Sequence, residues 1–123
     1  MTKEEFISIA QQSSDRVDML SKMGHKFSNK NIETYIKIPR QAFGIKVKEM
    51  FEYFSQPSIS KDIYISHLSG SKSKTEVLEK MGYPINEENI TKYVVDTGVK
   101  FGIHSSQLKA IFAQASSTGS IGI

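Results

Sequence analysis

Leu20-Ser-Lys-Met-Gly24 recurs 58 residues later as Leu78-Glu-Lys-Met-Gly82, and this pair of stretches decides the fold. In the same register, Phe43-Gly-Ile45 matches Phe101-Gly-Ile103, and no gap is needed along the whole alignment. Of the 58 aligned pairs 17 are identical, whereas unrelated sequences of ordinary composition would share roughly 6%. A fixed internal period indicates a tandem duplication, in which one structural unit is built twice.

The repeat divides the chain into residues 1–58, residues 59–116 and a remainder, 117–123. A unit this short buries only ~60% of its unfolded surface and is marginal alone. We therefore expect the two units to pack together as one globular domain, or each to pack on another copy in a homo-oligomer. The Gly- and Ser-rich remainder is expected to be a flexible tail.

Composition excludes several classes of protein. The chain has no Cys, which excludes a disulfide scaffold, a thiolate metal site and a Cys nucleophile. It has no apolar run long enough to span a membrane. Its first residues are polar and acidic, unlike a signal peptide. These features predict a soluble, cytoplasmic protein.

Turn and cap residues predict helices. Gly24 and Gly82 stand where a helix would end in a left-handed residue. Ser28 and Asn86, which are aligned with each other, stand where the next helix would begin. Apolar residues recur at spacings of three and four around these signals. The repeat thus predicts a mainly α fold. The expected segments are 3–11, 14–23, 28–43 and 46–56 in the first unit, and 61–68, 72–81, 86–101 and 105–116 in the second.

Two places leave alternatives open. Ile63-Tyr-Ile-Ser-His-Leu68 is rich in β-branched and aromatic residues, which is also typical of a short strand. An α+β fold would then have the element order of ribbon-helix-helix proteins in tandem, with Tyr64 and Ser66 facing a major groove. Pro39 is expected to kink the third helix or to end it near Ile38.

The segment from Val94 to Phe112 resembles a helix-turn-helix corner. A small residue, Gly98, would let two helices cross closely, Gly102 would make the turn, and Ile103 and Leu108 would be buried. The first repeat matches at Gly44, Ile45 and Met50, but Arg40 stands in place of the small residue. The same pattern is also typical of an ordinary corner between helices in an α domain.

The leading functional prediction is a small basic, non-enzymatic nucleic-acid-binding protein. Net charge is +3, and cations gather around the two predicted corners. Phosphate contacts are expected from Lys37, Arg40 and Lys100. Groove-facing side chains are expected at Lys46, Lys48 and Glu49 in the first repeat, and at His104, Ser105, Ser106, Gln107 and Lys109 in the second. Because the two corners differ so much in sequence, we expect them to have unequal roles. Each Lys taken alone is more typical of a solvated surface charge than of a phosphate contact.

The alternative prediction is a protein-interaction or assembly module that binds through apolar helix faces. Phe51 and Tyr53 lie beside Met50 and would widen such a face; their exposure as a contiguous patch would favour this alternative. No enzyme, cofactor or metal site is predicted, because the three His residues lack metal-ligand spacing and no nucleophile motif is present.

Overall fold

The computed structural model describes the backbone of residues 1–121 and the side chains of residues 1–116, and this part of the chain is helical with no strand. The mainly α class predicted from the repeat is therefore confirmed for these residues. The predicted flexible tail, 117–123, lies outside the residues whose side chains are described. None of the helices up to residue 121 is long and apolar enough to cross a membrane.

Met1–Pro57 and Ser58–Ile123 form two compact units. Unit 1 contains α1 (Lys3–Gln11), α2 (Arg16–Lys22), α3 (29–42) and α4 (Val47–Tyr53); unit 2 contains α5 (Lys61–Leu68), α6 (Lys74–Met81), α7 (87–100) and α8 (Ser105–Ile121). Every predicted segment is a helix and begins within two residues of its expected start. The packing of both units into one globular domain stays a prediction.

Each unit buries its own set of apolar side chains. In unit 2 the fully buried residues are Tyr64, Leu68, Val77, Leu78, Val94 and Leu108. In unit 1 they include Phe6, Met19, Leu20, Ile36, Ile45 and Met50. These residues come from all four helices of a unit or the turns between them, because the amphipathic faces predicted by the spacing point inward.

The two units also share contacts, in that a pair of residues in contact in unit 1 has its counterpart in contact 58 positions later in unit 2. The rings of Phe6 and Phe43 are tilted with centroids 5.7 Å apart, and those of Tyr64 and Phe101, at the aligned positions, are 5.7 Å apart as well. The tandem duplication itself stays a prediction, which such recurring contacts favour.

The ribbon-helix-helix alternative is wrong, because residues Lys61–Leu68 form a helix. Tyr64 is fully buried and its hydroxyl donates to the backbone oxygen of Val94 at 2.6 Å, so it faces the core rather than a groove. Ser66 is exposed, but it lies on this helix, and its hydroxyl donates a hydrogen bond to the backbone oxygen of Ile63. Burial of Tyr64 and Leu68, at helical spacing, has overridden the β propensity of residues 63–68.

Pro39 does not end its helix near Ile38, because α3 continues to Ala42. A π-helical turn, Glu33–Lys37, lies directly before it. This wider turn relieves the clash between a proline ring and the preceding carbonyls. In α7 a π-helical stretch, Ile90–Asp96, occupies the aligned position without a proline. Proline is therefore not what creates the π turn.

Candidate functional site

The corner of unit 1 is closed by a left-handed glycine. Gly44 has φ +72°, its N–H donates to the Gln41 oxygen at 3.0 Å, and the Ile45 N–H donates to the Arg40 oxygen at 3.0 Å. This pair of bonds caps the end of α3. Ile45 is buried beneath the turn, which places Lys46 directly before the first turn of α4.

The corner of unit 2 has the same backbone arrangement. Gly102 has φ +83°, and the Ile103 N–H donates to the Gly98 oxygen at 2.7 Å. The Gln107 side chain accepts from the His104 N–H at 2.7 Å. Gln107 therefore caps α8, while the other predicted contact residues on this corner are exposed: His104, Ser105, Ser106 and Lys109.

The surroundings of Gly98 leave no room for a side chain. A Cβ built there would lie 2.6 Å from the Tyr64 hydroxyl and 2.8 Å from the Ile103 oxygen. In unit 1 the residue aligned with Tyr64 is Phe6, which has no hydroxyl. The larger Arg40 is accommodated there, and its Nη1 donates to the Ile45 oxygen at 2.6 Å. Arg40, which stands in place of the small residue of the pattern, is thus bonded to the backbone of the corner.

A groove of about 430 Å³ lies against this corner in unit 1. Its apolar lining comes from α3 and α4: Ile32, Ile36, Val47, Met50 and Phe51. Four of these side chains are buried, whereas Val47 is 45% exposed. The floor of the groove is therefore core surface, and Val47 forms part of its accessible wall.

Cations line the same groove. Lys37 and Arg40, both predicted from the sequence, project from α3, and Arg16 joins them from the start of α2. Lys46 and Lys48 are exposed where α4 begins. Two of the four predicted cations of unit 1, Lys37 and Arg40, therefore line the groove, whereas Lys46 and Lys48 are exposed at the start of α4 and are not among its lining residues.

Three polar residues of the groove were missed by the sequence analysis: Arg16, Asn29 and Glu33. Arg16 carried a usable signal, because the aligned residue of the second repeat, Lys74, is also basic. Asn29 and Glu33 carried none, since nothing in the sequence indicates which turn of α3 borders α4.

Unit 2 has a different set of residues at the groove positions. Val95, Gly98, Ser105 and Lys109 are aligned with Lys37, Arg40, Val47 and Phe51 of unit 1. Two cations and two apolar side chains are thereby replaced. The predicted phosphate contact Lys100 lies half-buried at the last residue of α7. Each unit is a separate compact body, so the two predicted corners are described as two sites.

Phe51 is only 6% exposed and its ring packs edge-on against Phe54 at 5.0 Å. Tyr53 is half-buried. The contiguous exposed patch that would favour protein assembly at these two residues is not formed. The exposed large apolar residues of α3 are instead Tyr35 and Ile38, at 38% and 55%.

Each unit also carries a stacked aromatic pair that the sequence analysis missed. The rings of His25 and Tyr35 are 3.7 Å apart at 11°, and those of Tyr83 and Tyr93, at the aligned positions, are 3.9 Å apart at 4°.

The loop that carries the first ring of each pair, His25 or Tyr83, is also held by an asparagine. The side-chain amide of Asn31 donates to the Lys26 oxygen at 2.9 Å, and that of Asn89 donates to the Pro84 oxygen at 2.8 Å. The asparagine that the repeats share thus holds the loop before α3 and the loop before α7 by a side-chain hydrogen bond to the backbone.

Among the described residues no group of His, Asp or Glu side chains is placed to hold a metal ion. No protein-family model matches the chain, and neither a curated protein nor a solved structure is significantly similar to it.

Proposed function

We propose that the protein binds nucleic acid, and that the basic corner of unit 1 makes the main phosphate contacts. The observation that carries this proposal is a groove lined by Lys37 and Arg40 of α3, with Lys46 and Lys48 exposed where α4 begins. Clustered cations release counterions from a phosphate backbone, which is the dominant source of nucleic-acid affinity. Arg40 adds a planar guanidinium, whose N–H groups suit phosphate oxygens.

The corner of unit 2 is proposed as an auxiliary contact. It offers exposed His104, Ser105 and Ser106 at the start of α8, with Lys109 one turn later. These side chains can donate or accept hydrogen bonds, but they supply little charge. They would therefore add less to affinity, and less to its salt dependence, than the corner of unit 1.

The test is fluorescence anisotropy of labelled duplex DNA, single-stranded DNA and RNA over a salt series. We expect binding that weakens steeply with salt, and a lower affinity with a shallower salt slope in the double variant Lys46→Ala/Lys48→Ala. The matched control is Lys72→Ala/Lys74→Ala, which removes the same charge from exposed positions of unit 2. Absence of binding at low salt would remove the proposal.

A second candidate function, protein interaction, is favoured by one observation. Tyr35 and Ile38 lie three residues apart on α3 and are both exposed, so they form one apolar face on the helix. A partner docked there would bury them. Replacement of Ile38 by the neutral Ser would then release the partner while leaving the salt-dependent binding of nucleic acid unchanged.

A further inference from the structure

We infer that the groove of unit 1 accepts one unpaired nucleotide of a single strand, with the base against the apolar lining and the phosphate against Arg40 and Lys37. This inference rests on the proposed nucleic-acid binding and names the kind of nucleic acid that the site takes.

The apolar lining is what separates this groove from a plain phosphate-binding surface. Val47 is the accessible part of this lining, at 45% exposed, while Ile32, Ile36 and Met50 are at most 9% exposed and lie beneath it. A phosphate backbone gains nothing from contact with an aliphatic side chain such as Val47. A base has two flat, weakly hydrated faces and gains free energy when it leaves water. The volume of about 430 Å³ falls within the usual range of small-ligand pockets, roughly 300–1,000 Å³. Bases of an intact duplex remain stacked inside it, so only an unpaired base can enter such a groove.

The cations are spaced to hold the phosphate of the same nucleotide. Lys37 and Arg40 are three residues apart along α3 and so project from one side of the helix. Arg40 is positioned by its bond from Nη1 to the Ile45 oxygen. A guanidinium has five N–H donors, so the bond to Ile45 leaves other N–H groups of Arg40 to bind an anion.

The carboxylate of Glu33, which also lines the groove, predicts a preference among bases. Glu33 lines the groove and is exposed. A carboxylate accepts hydrogen bonds only, and the exocyclic amino groups of cytosine, adenine and guanine can donate to it. Thymine and uracil have no amino group. We therefore expect cytosine- or adenine-containing strands to bind more tightly than thymine- or uracil-containing strands of equal length.

Unit 2 lacks the elements of this site. Ser105 and Lys109 replace the apolar Val47 and Phe51, while Val95 and Gly98 replace the two cations. The chain is therefore expected to hold one such nucleotide, in unit 1.

The experiment compares a labelled deoxycytidine dodecamer, a thymidine dodecamer and a mixed-sequence duplex of equal length by anisotropy at one salt concentration. The variants are Val47→Ser, which installs the residue found in unit 2, and Glu33→Gln. Val47 is 45% exposed and Glu33 is exposed, so neither change opens a core cavity. Ile63→Ser, at a 50% exposed position of unit 2, is the matched control, and circular dichroism checks the fold of each variant.

We expect the wild-type protein to bind the cytidine strand about threefold more tightly than the duplex, which is roughly the gain from covering one half-exposed aliphatic side chain. Val47→Ser should remove most of this advantage, and Glu33→Gln should remove the preference for cytidine over thymidine. The inference is overturned if duplex and single strand bind equally, or if both variants behave like Ile63→Ser. Those results leave phosphate binding intact. Absence of binding to every probe at low salt would instead overturn the proposed function as well.

Discussion

Tyr64 and Gly98 form one packing arrangement, in which the phenol occupies the space that a side chain at residue 98 would need. Gly98→Ala places a Cβ at 2.6 Å from the hydroxyl and 2.8 Å from the Ile103 oxygen. We expect the substitution to lower the free energy of unfolding by about 1–3 kcal/mol, as overpacking does in other cores. Urea unfolding followed by circular dichroism measures the change.

The matched test is a double-mutant cycle with Tyr64→Phe, which copies the residue of unit 1. Alone, Tyr64→Phe removes the bond to the Val94 oxygen and should cost about 1 kcal/mol. In the Gly98→Ala background it also removes the closest clash, so the double variant should be less destabilised than the two single costs predict. Strict additivity would show that the hydroxyl and residue 98 do not compete for the same space.

Tyr64 also predicts how stability depends on pH. Burial raises the pKa of its phenol well above the ordinary value of 10.0, because an ionised phenolate would lose its hydration. The unfolded chain therefore releases this proton first, so the free energy of unfolding falls as pH rises above about 10. We expect the wild-type protein to lose stability between pH 9 and pH 11 more steeply than Tyr64→Phe. Equal slopes would contradict this assignment.

At the scale of elements, the glycine turn between α3 and α4 sets where the cations of unit 1 stand. Gly44 has φ +72° and a Cβ there would touch nothing within 4 Å, so substitution costs backbone strain alone. Gly44→Ala should destabilise by roughly 1–2 kcal/mol, and Gly44→Asn by less, because Asn tolerates the left-handed region better. Thermal melts of both variants measure this order, and the reverse order would mean that side-chain contacts decide the cost.

The helices were largely predictable because local chemistry specifies their ends. Ser28 and Asn86 each accept the N–H of the residue three positions on, as the cap positions predict. The π turns were not predictable, since Glu33–Lys37 and Ile90–Asp96 have no composition that separates them from an α-helix. The segment containing Tyr64 was ambiguous because β propensity and helical burial compete over eight residues, and only tertiary packing decides between them.

At the scale of the whole molecule, the sequence predicted two of the cations that line the candidate groove but not the shape of the groove. Lys37 and Arg40 were among the predicted residues because a run of basic residues can be read directly from the sequence. The groove was not found, because it depends on which faces of α3 and α4 meet, and Phe51 proved to be part of its buried lining rather than an exposed patch. Burial of a single aromatic residue is a tertiary property, and the periodicity of α4 alone leaves it undetermined.

The difference in charge between the two corners predicts that substitutions in unit 1 and in unit 2 change the salt dependence of nucleic-acid binding by different amounts. Each phosphate contact contributes about 0.7–0.9 to the slope of log affinity against log salt. Loss of Lys46 and Lys48 should therefore lower the slope by about 1.4–1.8, whereas His104→Ala/Lys109→Ala in unit 2 removes one permanent cation and should lower it by no more than half as much. Both variants change exposed residues at the start of the same kind of helix, so a difference reflects charge rather than folding. Equal slopes would mean that both corners contact phosphates alike, and that the divergence of their sequences has no consequence for binding.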